Sequence, residues 1–489
     1  MQNVINAKAS KKLLPRVELT EIASSDDPSA YEVVMPNGAV PRSYFVKPCH
    51  DSATGFRVDG KPKWMGTRFN LFPIVLDSKG TPWAEAAVYI TSRLEQSLEP
   101  SMSTYHCIAA DLAAYLRFVE ESCIDWTHFP QRKLERPTYR YRAQLWLSIE
   151  AGTLSATTAK RRMSSVISFY RWLKNEEVLT FKNPTWVESD RMILFTYENG
   201  LRGSKTVKKT DLDIQVAKQN DPYSEFIEDE GKLRPLPEKE QRWVLEALTK
   251  HGHTELTLIQ LFSLLTGARI QTVLTFRVKH VTAQYLVAPG TDVVRIPVGP
   301  GTGIDTKKNK RTVLHVPTWF IEMLMTYARS ERASVRRSRA LGGDTANQYL
   351  FLSSHGSPLY ESKADAAQYN AISKRRHAKN GQAVRQLIRD YIIPYIRSTY
   401  DSNFDYSPHD LRATFGMNLT DEQLKRVAKG EITLNQAREY VKSRMGHKSA
   451  ATTDGYLQYR GRLNFIRKTN DEYGDHLKQL AIQALGGKV

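Results

Sequence analysis

SPHDLRATFG (Ser407–Gly416) and KSRMGHKSAATTDGYLQY (Lys442–Tyr459) lie close together near the end of the chain, and the rest of the sequence is read outward from them. Ser407-Pro408 has the chemistry of a helix start, with serine as N-cap and proline at the first helical position. His409 and Arg412 then fall at i and i+3, on one helix face. An imidazole and a guanidinium on one face suit an anionic oxygen, because both donate hydrogen bonds. Gly446-His447 reads as a tight turn presenting a second imidazole, and nine residues after His447 comes Tyr456, a candidate nucleophile. Taken alone, each has an ordinary reading: a surface pair, a turn and a packed aromatic ring.

The composition sets the frame. At 489 residues the chain exceeds one ordinary domain, and two or three domains are expected. The 41% hydrophobic and 25% charged residues suit a globular fold, and no apolar run approaches the length of a membrane span. No signal-peptide core follows Met1. Cys49, Cys107 and Cys123 lack C-x-x-C spacing, which argues for a reducing cytosol and against a zinc site. A net charge of +18 is the footprint of a polyanion binder, nucleic acid first.

The N-terminal residues 1–79 hold short alternating pieces such as Tyr31–Met35 and Asn70–Leu76, and predict a small β-containing module or arm, or equally a cap packed on the next domain. Residues 80–185 read as helical. Tyr105, Ile108, Leu112, Tyr115, Leu116 and Val119 recur at three- and four-residue spacing, with Ser103 or Thr104 as the cap. A second helix is expected over Arg140–Glu150. A third buries Met163, Val166, Ile167, Tyr170 and Leu173 and leaves Lys160, Arg161, Arg162 and Arg171 mostly off that stripe. Those four are candidate phosphate contacts, against the plain alternative of a solvated face. Residues 186–232 lose periodicity and read as a linker, with a short element near Leu212–Ala217.

A new domain, 233–489, opens at Pro237. Its helix LTLIQLFSLLTGAR is mostly apolar, so it is expected to be buried. It delivers Arg269 just past Gly267, and a buried arginine needs an anion; the plain alternative is an interior carboxylate. Strands are expected at Gln284–Pro289, Asp292–Val298 and Arg311–Pro317. Between the last two, TKKNK forms a basic hairpin tip that can extend Lys307 or Lys308 into a cleft. Residues 361–405 form a helical, basic insertion, and the tail carries an amphipathic pattern (His476, Leu477, Leu480, Ala481, Ala484, Leu485).

In chain order, Arg269, Lys307 or Lys308, His409, Arg412, His447 and Tyr456 resemble the active-site set of the tyrosine recombinases, the phage-integrase family. TGARIQTVLTFRVKHV resembles that family's first arginine motif, SPHDLRATFG its His-x-x-Arg motif, and MGHKSAATTDGY its Gly-His and nucleophile motif. The resemblance covers about four fifths of the chain. Where many members carry an acidic residue three positions after the first arginine, this chain has Thr272. The resemblance implies a multidomain fold: a mainly α-helical, SAM-like core-binding domain plus an α+β catalytic domain with a small antiparallel sheet. It implies Tyr456 as nucleophile, Arg269, His409, Arg412 and His447 around the phosphate, and Lys307 (alternatively Lys308) as proton donor to the leaving 5′ oxygen. It further implies a covalent 3′-phosphotyrosyl intermediate, no metal, ATP or cofactor, and a homo-tetramer acting on two double-stranded DNA sites through a Holliday junction. Accessory DNA-bending proteins, a bacterial cytoplasmic, nucleoid-associated setting and a C-terminal tail docked on a neighbouring protomer, with packing in cis as the alternative, also fit that picture. A mobile-element integrase is the leading form. A type IB-like topoisomerase, a telomere resolvase, or a DNA-binding regulator with a vestigial site are the alternatives.

Overall fold

The structure is a computed structural model that describes residues 8–35, 42–49, 52–58, 61–65, 67–96, 100–196, 201–215, 225–282, 292–367 and 376–484. The strand expected at Gln284–Pro289 lies outside these residues, as do Val216 and Ala217, residues 368–375 of the insertion, and Leu485 of the tail. The chain divides into two compact units, one of Met1–Gln219 with Lys363–Ala378 and one of Asn220–Ser362 with Lys379–Val489.

In the first unit, strands β1 (Ser10–Glu18), β2 (Thr20–Ala23), β3 (Tyr31–Met35), β4 (Arg42–Pro48), β5 (Ser52–Val58), β6 (Lys61–Met65) and β7 (Arg68–Leu76) precede four helices. These are α1 (Ala84–Glu95), α2 (Met102–Glu121), α3 (Pro137–Glu150) and α4 (Ala156–Asn175). β1 and β7 pair antiparallel from Ser10↔Leu76 to Glu18↔Arg68. The N-terminal residues are not wholly a separate module. Ala9, Phe69, Phe72 and Val75 are buried in the same core as Tyr89, Leu112, Tyr115, Phe169 and Tyr170 of the helices. The amphipathic stripe of α2 is buried as its spacing predicts, except that Ile108 is only half-buried. Its cap is Ser101 rather than Ser103 or Thr104. Ser155 caps α4 by accepting from the Thr158 amide.

The stretch expected as a linker carries a β-hairpin instead, β8 (Glu188–Thr196) against β9 (Arg202–Thr210), in register from Glu188↔Thr210 to Thr196↔Arg202. Its alternation is hidden in the sequence because both faces of the ribbon are largely exposed, so polar and apolar side chains do not segregate.

The second unit starts with a miniature hairpin, β10 (Ile227–Glu228) and β11 (Lys232–Leu233). Helices α5 (Glu238–His251), α6 (Thr254–Thr266), α7 (Ile270–Leu274) and α8 (Val278–Thr282) follow, then strands β12 (Val293–Val298) and β13 (Thr312–Pro317). Helices α9 (Thr318–Arg329) and α10 (Glu331–Ser338) come next. The insertion supplies α11 (Lys363–Ala367), counted with the first unit, and α12 (Gln382–Leu387) and α13 (Ile393–Thr399), joined by a wider turn at Ile388–Ile392. The chain closes with α14 (Asp410–Ala428), α15 (Leu434–Met445) and the 35-residue α16 (Ala450–Ala484). The apolar α6 is central, with Leu256, Leu258, Ile259 and Phe262 buried in the main core beside β12 and β13. A second apolar cluster joins Ile227 and Leu233 of the miniature hairpin to Ala413, Phe415, Val441, Met445 and Tyr456. The helices α1–α4 after the N-terminal strands and the α+β second unit with small antiparallel sheets match the multidomain, α-rich fold class expected from the sequence.

Candidate active site

The second cluster is the floor of the site, and three glycines shape its edges. α6 ends on Gly267 at φ 68°, a left-handed conformation that a side chain strains to adopt. A Cβ there would also sit 2.5 Å from the Phe415 ring. Arg269, two residues on, is the N-cap of α7. α15 ends on Gly446 in the left-handed region, and the reversed chain delivers His447, whose amide donates to the Lys442 carbonyl at 3.0 Å. Gly416 in α14 serves close approach, since a Cβ there would lie 2.6 Å from Cε1 of Tyr456.

The helix carrying His409 and Arg412 starts later than Ser407-Pro408 suggests. α14 begins at Asp410, with His409 at the N-cap. Asp410 reaches back to accept from the Ser407 amide and hydroxyl, both at 2.8 Å, so residues 407–409 form a turn leading into the helix. The serine is held by a carboxylate instead of capping with its own oxygen. Residues 409 and 412 remain together, because the Arg412 amide donates to the His409 carbonyl at 3.1 Å.

Arg412 is buried, and each of its three guanidinium nitrogens donates a hydrogen bond. Nη1 donates to the Gly267 carbonyl at 2.8 Å, Nη2 to the Met445 carbonyl at 2.7 Å, and Nε to Oδ2 of Asp229 at 3.1 Å. That same Oδ2 accepts from the Tyr456 hydroxyl at 3.2 Å and pairs with Nε2 of His447 at 3.4 Å. Nδ1 of His447 lies 3.0 Å from the Thr453 hydroxyl, and its ring stacks on Tyr456 with centroids 5.4 Å apart. Arg438 of α15 holds Asp454 of α16 through two 2.6 Å bonds, which fixes the turn of α16 that carries Tyr456.

A second carboxylate gathers the remaining cations. Glu230 accepts from Arg269 at 2.7 Å and pairs with Lys307 at 3.1 Å and Lys308 at 3.3 Å. Lys307 and Lys308 sit on a short turn at the tip between β12 and β13. A third lysine of that tip, Lys310, donates to the Gly446 carbonyl, next to His447.

Electrostatics follow from this packing. Burial raises the Asp229 carboxyl, but the His447 hydrogen bond and the Arg412 charge outweigh it and hold the group well below the carboxylate range. Burial acts the same way on Glu230, and Lys307 and Arg269 win, bringing it down to about 2. Burial, then the Arg269 and Arg412 charges, push His409 down to about 4, so its ring is neutral at pH 7. Burial and the adjacent Asp229 charge raise the Tyr456 phenol. Burial, with Lys448 and Arg269 nearby, lowers the Lys310 ammonium.

Thus all six candidates from the sequence, Arg269, Lys307, His409, Arg412, His447 and Tyr456, meet in one place within the second unit. Sequence reasoning missed Asp229, Glu230 and Lys310. The two acids lie in the run EDE at 228–230 ahead of Gly231, in a stretch that mixes acidic and basic residues and gives no signal of a site. Thr272 is buried, and the carboxylate against Arg269 comes from Glu230. The four basic residues of α4 are differently disposed. Arg161 pairs with the buried Asp111 at 3.0 Å, and Arg171 pairs with Glu188 at 2.9 Å and lies over the Trp186 ring. Lys160 is exposed and Arg162 half-buried. Among the described residues, no group of His, Cys, Asp or Glu side chains could hold a metal ion, and no helix is long and apolar enough to cross a membrane.

No family model matches the chain, and no curated protein matches it in sequence. Among solved structures, it aligns with a XerH site-specific recombinase bound to difH substrate in a pre-cleavage complex, at 16% identity and a TM-score of 0.40 over 76% of this chain and 85% of that one. A Tn1549 transposon integrase in complex with a circular intermediate DNA aligns at 12% identity and a TM-score of 0.43, over 76% of this chain and 94% of that one. A lambda integrase dimer bound to a COC' core site aligns at 14% identity and a TM-score of 0.40, over 78% of this chain and 96% of that one. Likeness at this level is loose and leaves function to the residues of the site.

Proposed function

We propose that this chain is a tyrosine-recombinase-type DNA strand transferase, in which Tyr456 attacks a backbone phosphodiester and forms a 3′-phosphotyrosyl bond. One observation carries the reading: a guanidinium, an imidazole and the tyrosine hydroxyl all converge on a single anionic oxygen, Oδ2 of Asp229. A non-bridging phosphate oxygen has the charge and acceptor capacity to take that place.

The chemistry has the following order. A free tyrosine hydroxyl with a pKa near ~10 is only about one-thousandth phenolate at neutral pH, so it loses its proton as it attacks. Phosphoryl transfer depends on positioning and on stabilising charge at the equatorial oxygens. Arg412, fixed by the carbonyls of Gly267 and Met445, and Arg269 supply that charge, each donor being worth ~3 kcal/mol. His447 and the neutral His409 donate to the phosphate or move protons. Lys307 protonates the departing 5′ oxygen, which leaves as a hydroxyl. Lys308 is the alternative for that step, and Lys310 on the same hairpin tip, whose ammonium burial lowers, stands beside His447. The phosphotyrosyl bond conserves the energy of the broken phosphodiester, and attack by a 5′ hydroxyl of another strand restores Tyr456.

The substrate in this reading is double-stranded DNA, bound by a homo-tetramer on two sites with strands exchanged in pairs through a Holliday junction. Integration of a mobile element is the role proposed, with DNA-bending partners. The net charge of +18 supports the DNA assignment. The exposed Leu477 and Leu480 near the end of α16 support a contact between protomers. A nicked duplex carrying the target site, incubated without magnesium and run on a denaturing gel, is expected to show a covalent protein–DNA band. Tyr456→Phe is expected to abolish that band, and a variant that forms it as well as wild type would remove Tyr456 from the mechanism.

A further inference from the structure

The Asp229–Glu230 turn satisfies nearly every group that the proposed reaction needs. Asp229 takes Arg412, His447 and Tyr456, and Glu230 takes Arg269, Lys307 and Lys308. The two carboxylates are adjacent and carry two negative charges into one cationic pocket. With them in place Tyr456 has 0% of its surface exposed, so a DNA phosphate has no path to its hydroxyl.

We propose that the Asp229–Glu230 turn is a phosphate mimic built into the chain, an autoinhibitory plug that a DNA phosphodiester must displace before Tyr456 can act. This rests on the reading of the pocket as a phosphodiester site.

Three features distinguish a plug from a permanent support. First, the element is small: only Ile227↔Leu233 and Glu228↔Lys232 pair across β10 and β11. Its base is tied down. Ile227 and Leu233 are buried in the apolar floor, the Arg234 amide donates to Asp410 at 2.8 Å, and the Leu236 amide donates to the Thr414 hydroxyl at 2.9 Å. Among the described residues, the tip is held by the pocket's cations, the Tyr456 hydroxyl and the turn's own 3.0 Å bond from the Asp229 amide to the Gly231 carbonyl. Second, Glu230 has φ 55°, a left-handed conformation that a glutamate strains to keep and that its three cationic partners offset. Third, the pocket does not depend on the turn for its shape. Nη1 and Nη2 of Arg412 stay on main-chain carbonyls, and His447 keeps Thr453. Both carboxyls titrate far below neutrality, so protonation does not open the site at pH 7, whereas a competing anion can.

The probe is inorganic orthovanadate, titrated calorimetrically against the full chain. Asp229→Asn/Glu230→Gln is expected to bind it at least tenfold more tightly than wild type, and Glu230→Gln alone several-fold. Glu322→Gln/Glu422→Gln, the same charge change at exposed positions, is expected to change nothing. If circular dichroism shows the double variant unfolded, Glu230→Gln decides. Unchanged or weaker vanadate binding in the folded variants, or an equal gain in the charge-matched control, overturns the plug. The nicked-duplex assay, run on the same proteins, separates the two readings. Tighter vanadate binding with no covalent adduct in any form removes strand transfer and leaves the plug. Adducts with no gain in vanadate affinity remove the plug and leave strand transfer.

Discussion

Two of the settings in which tyrosines are buried make a useful pair. In the first unit, the Tyr115 and Tyr170 hydroxyls lie 2.6 Å apart, and Tyr170 donates to the Trp126 carbonyl at 2.7 Å, so Tyr115 is the donor to Tyr170. Around them stand Tyr141, Phe129 and Phe169, with ring centroids within 5.0–5.7 Å. In the second unit, Tyr456 is equally buried, but its hydroxyl meets a carboxylate that two other donors share. Burial raises all three phenols. Burial therefore does not mark a reactive tyrosine. What differs is the partner: neutral hydroxyl and carbonyl groups in one case, and in the other a carboxylate among cations.

That contrast can be broken in graded ways. The largest effect is expected from Arg412→Lys, which keeps the charge but loses the fork that spans Gly267, Met445 and Asp229. Covalent adduct formation should fall about a thousandfold while DNA affinity stays near wild type. An equal loss of both would make Arg412 a binding residue and erase the distinction between the two tyrosine sites. Gly416→Ala places a methyl group against the Tyr456 ring. It should cost about 1–3 kcal/mol in denaturant melts and strip most adduct formation by shifting the ring; a silent variant would mean that the ring has room to move. Tyr170→Phe tests the other side. It leaves the Tyr115 hydroxyl and the Trp126 carbonyl without a partner, which should cost about 2 kcal/mol and leave adduct formation unchanged in folded protein.

The least site-specific effect is expected from pH. His280, whose Nδ1 accepts from the Arg277 amide at 2.9 Å, and His409 are both pushed down to about 4, chiefly by burial. Their unfolded value is near ~6.5, so between that and about 4 the unfolded chain binds more protons and stability falls as pH falls. Glu230, down at about 2, extends the loss from ~4.5 toward that value. The buried phenols of the first unit add nothing in this range. Melting temperature should therefore decline from pH 6.5 to 4, and a flat profile would show that these imidazoles are not held neutral.

Much of the site was legible because its residues lie in local patterns. A glycine after an apolar helix, followed by arginine, announces Arg269. A His-x-x-Arg step announces one helix face, and Gly-His nine residues before a tyrosine announces a helix end and the helix after it. The basic residues of α4 were harder, because Arg161 and Arg171 find their partners, Asp111 and Glu188, on other elements, α2 and β8. The miniature hairpin was illegible for a different reason. Two residues per strand give no period to detect, and an acidic run in a polar stretch reads as solvent-facing.

By itself, the sequence determined the types of chemical group, their order, and the helices and turns that present them. Helix periodicity, glycine conformation and charge act within a few residues of one another. Only the tertiary structure decided what those groups face. The Asp229 carboxylate reaches Arg412 across 183 positions and Tyr456 across 227. Such contacts are set by which apolar surfaces pack together, here Ile227 and Leu233 onto the cluster beneath Tyr456, and no short stretch of sequence records that choice.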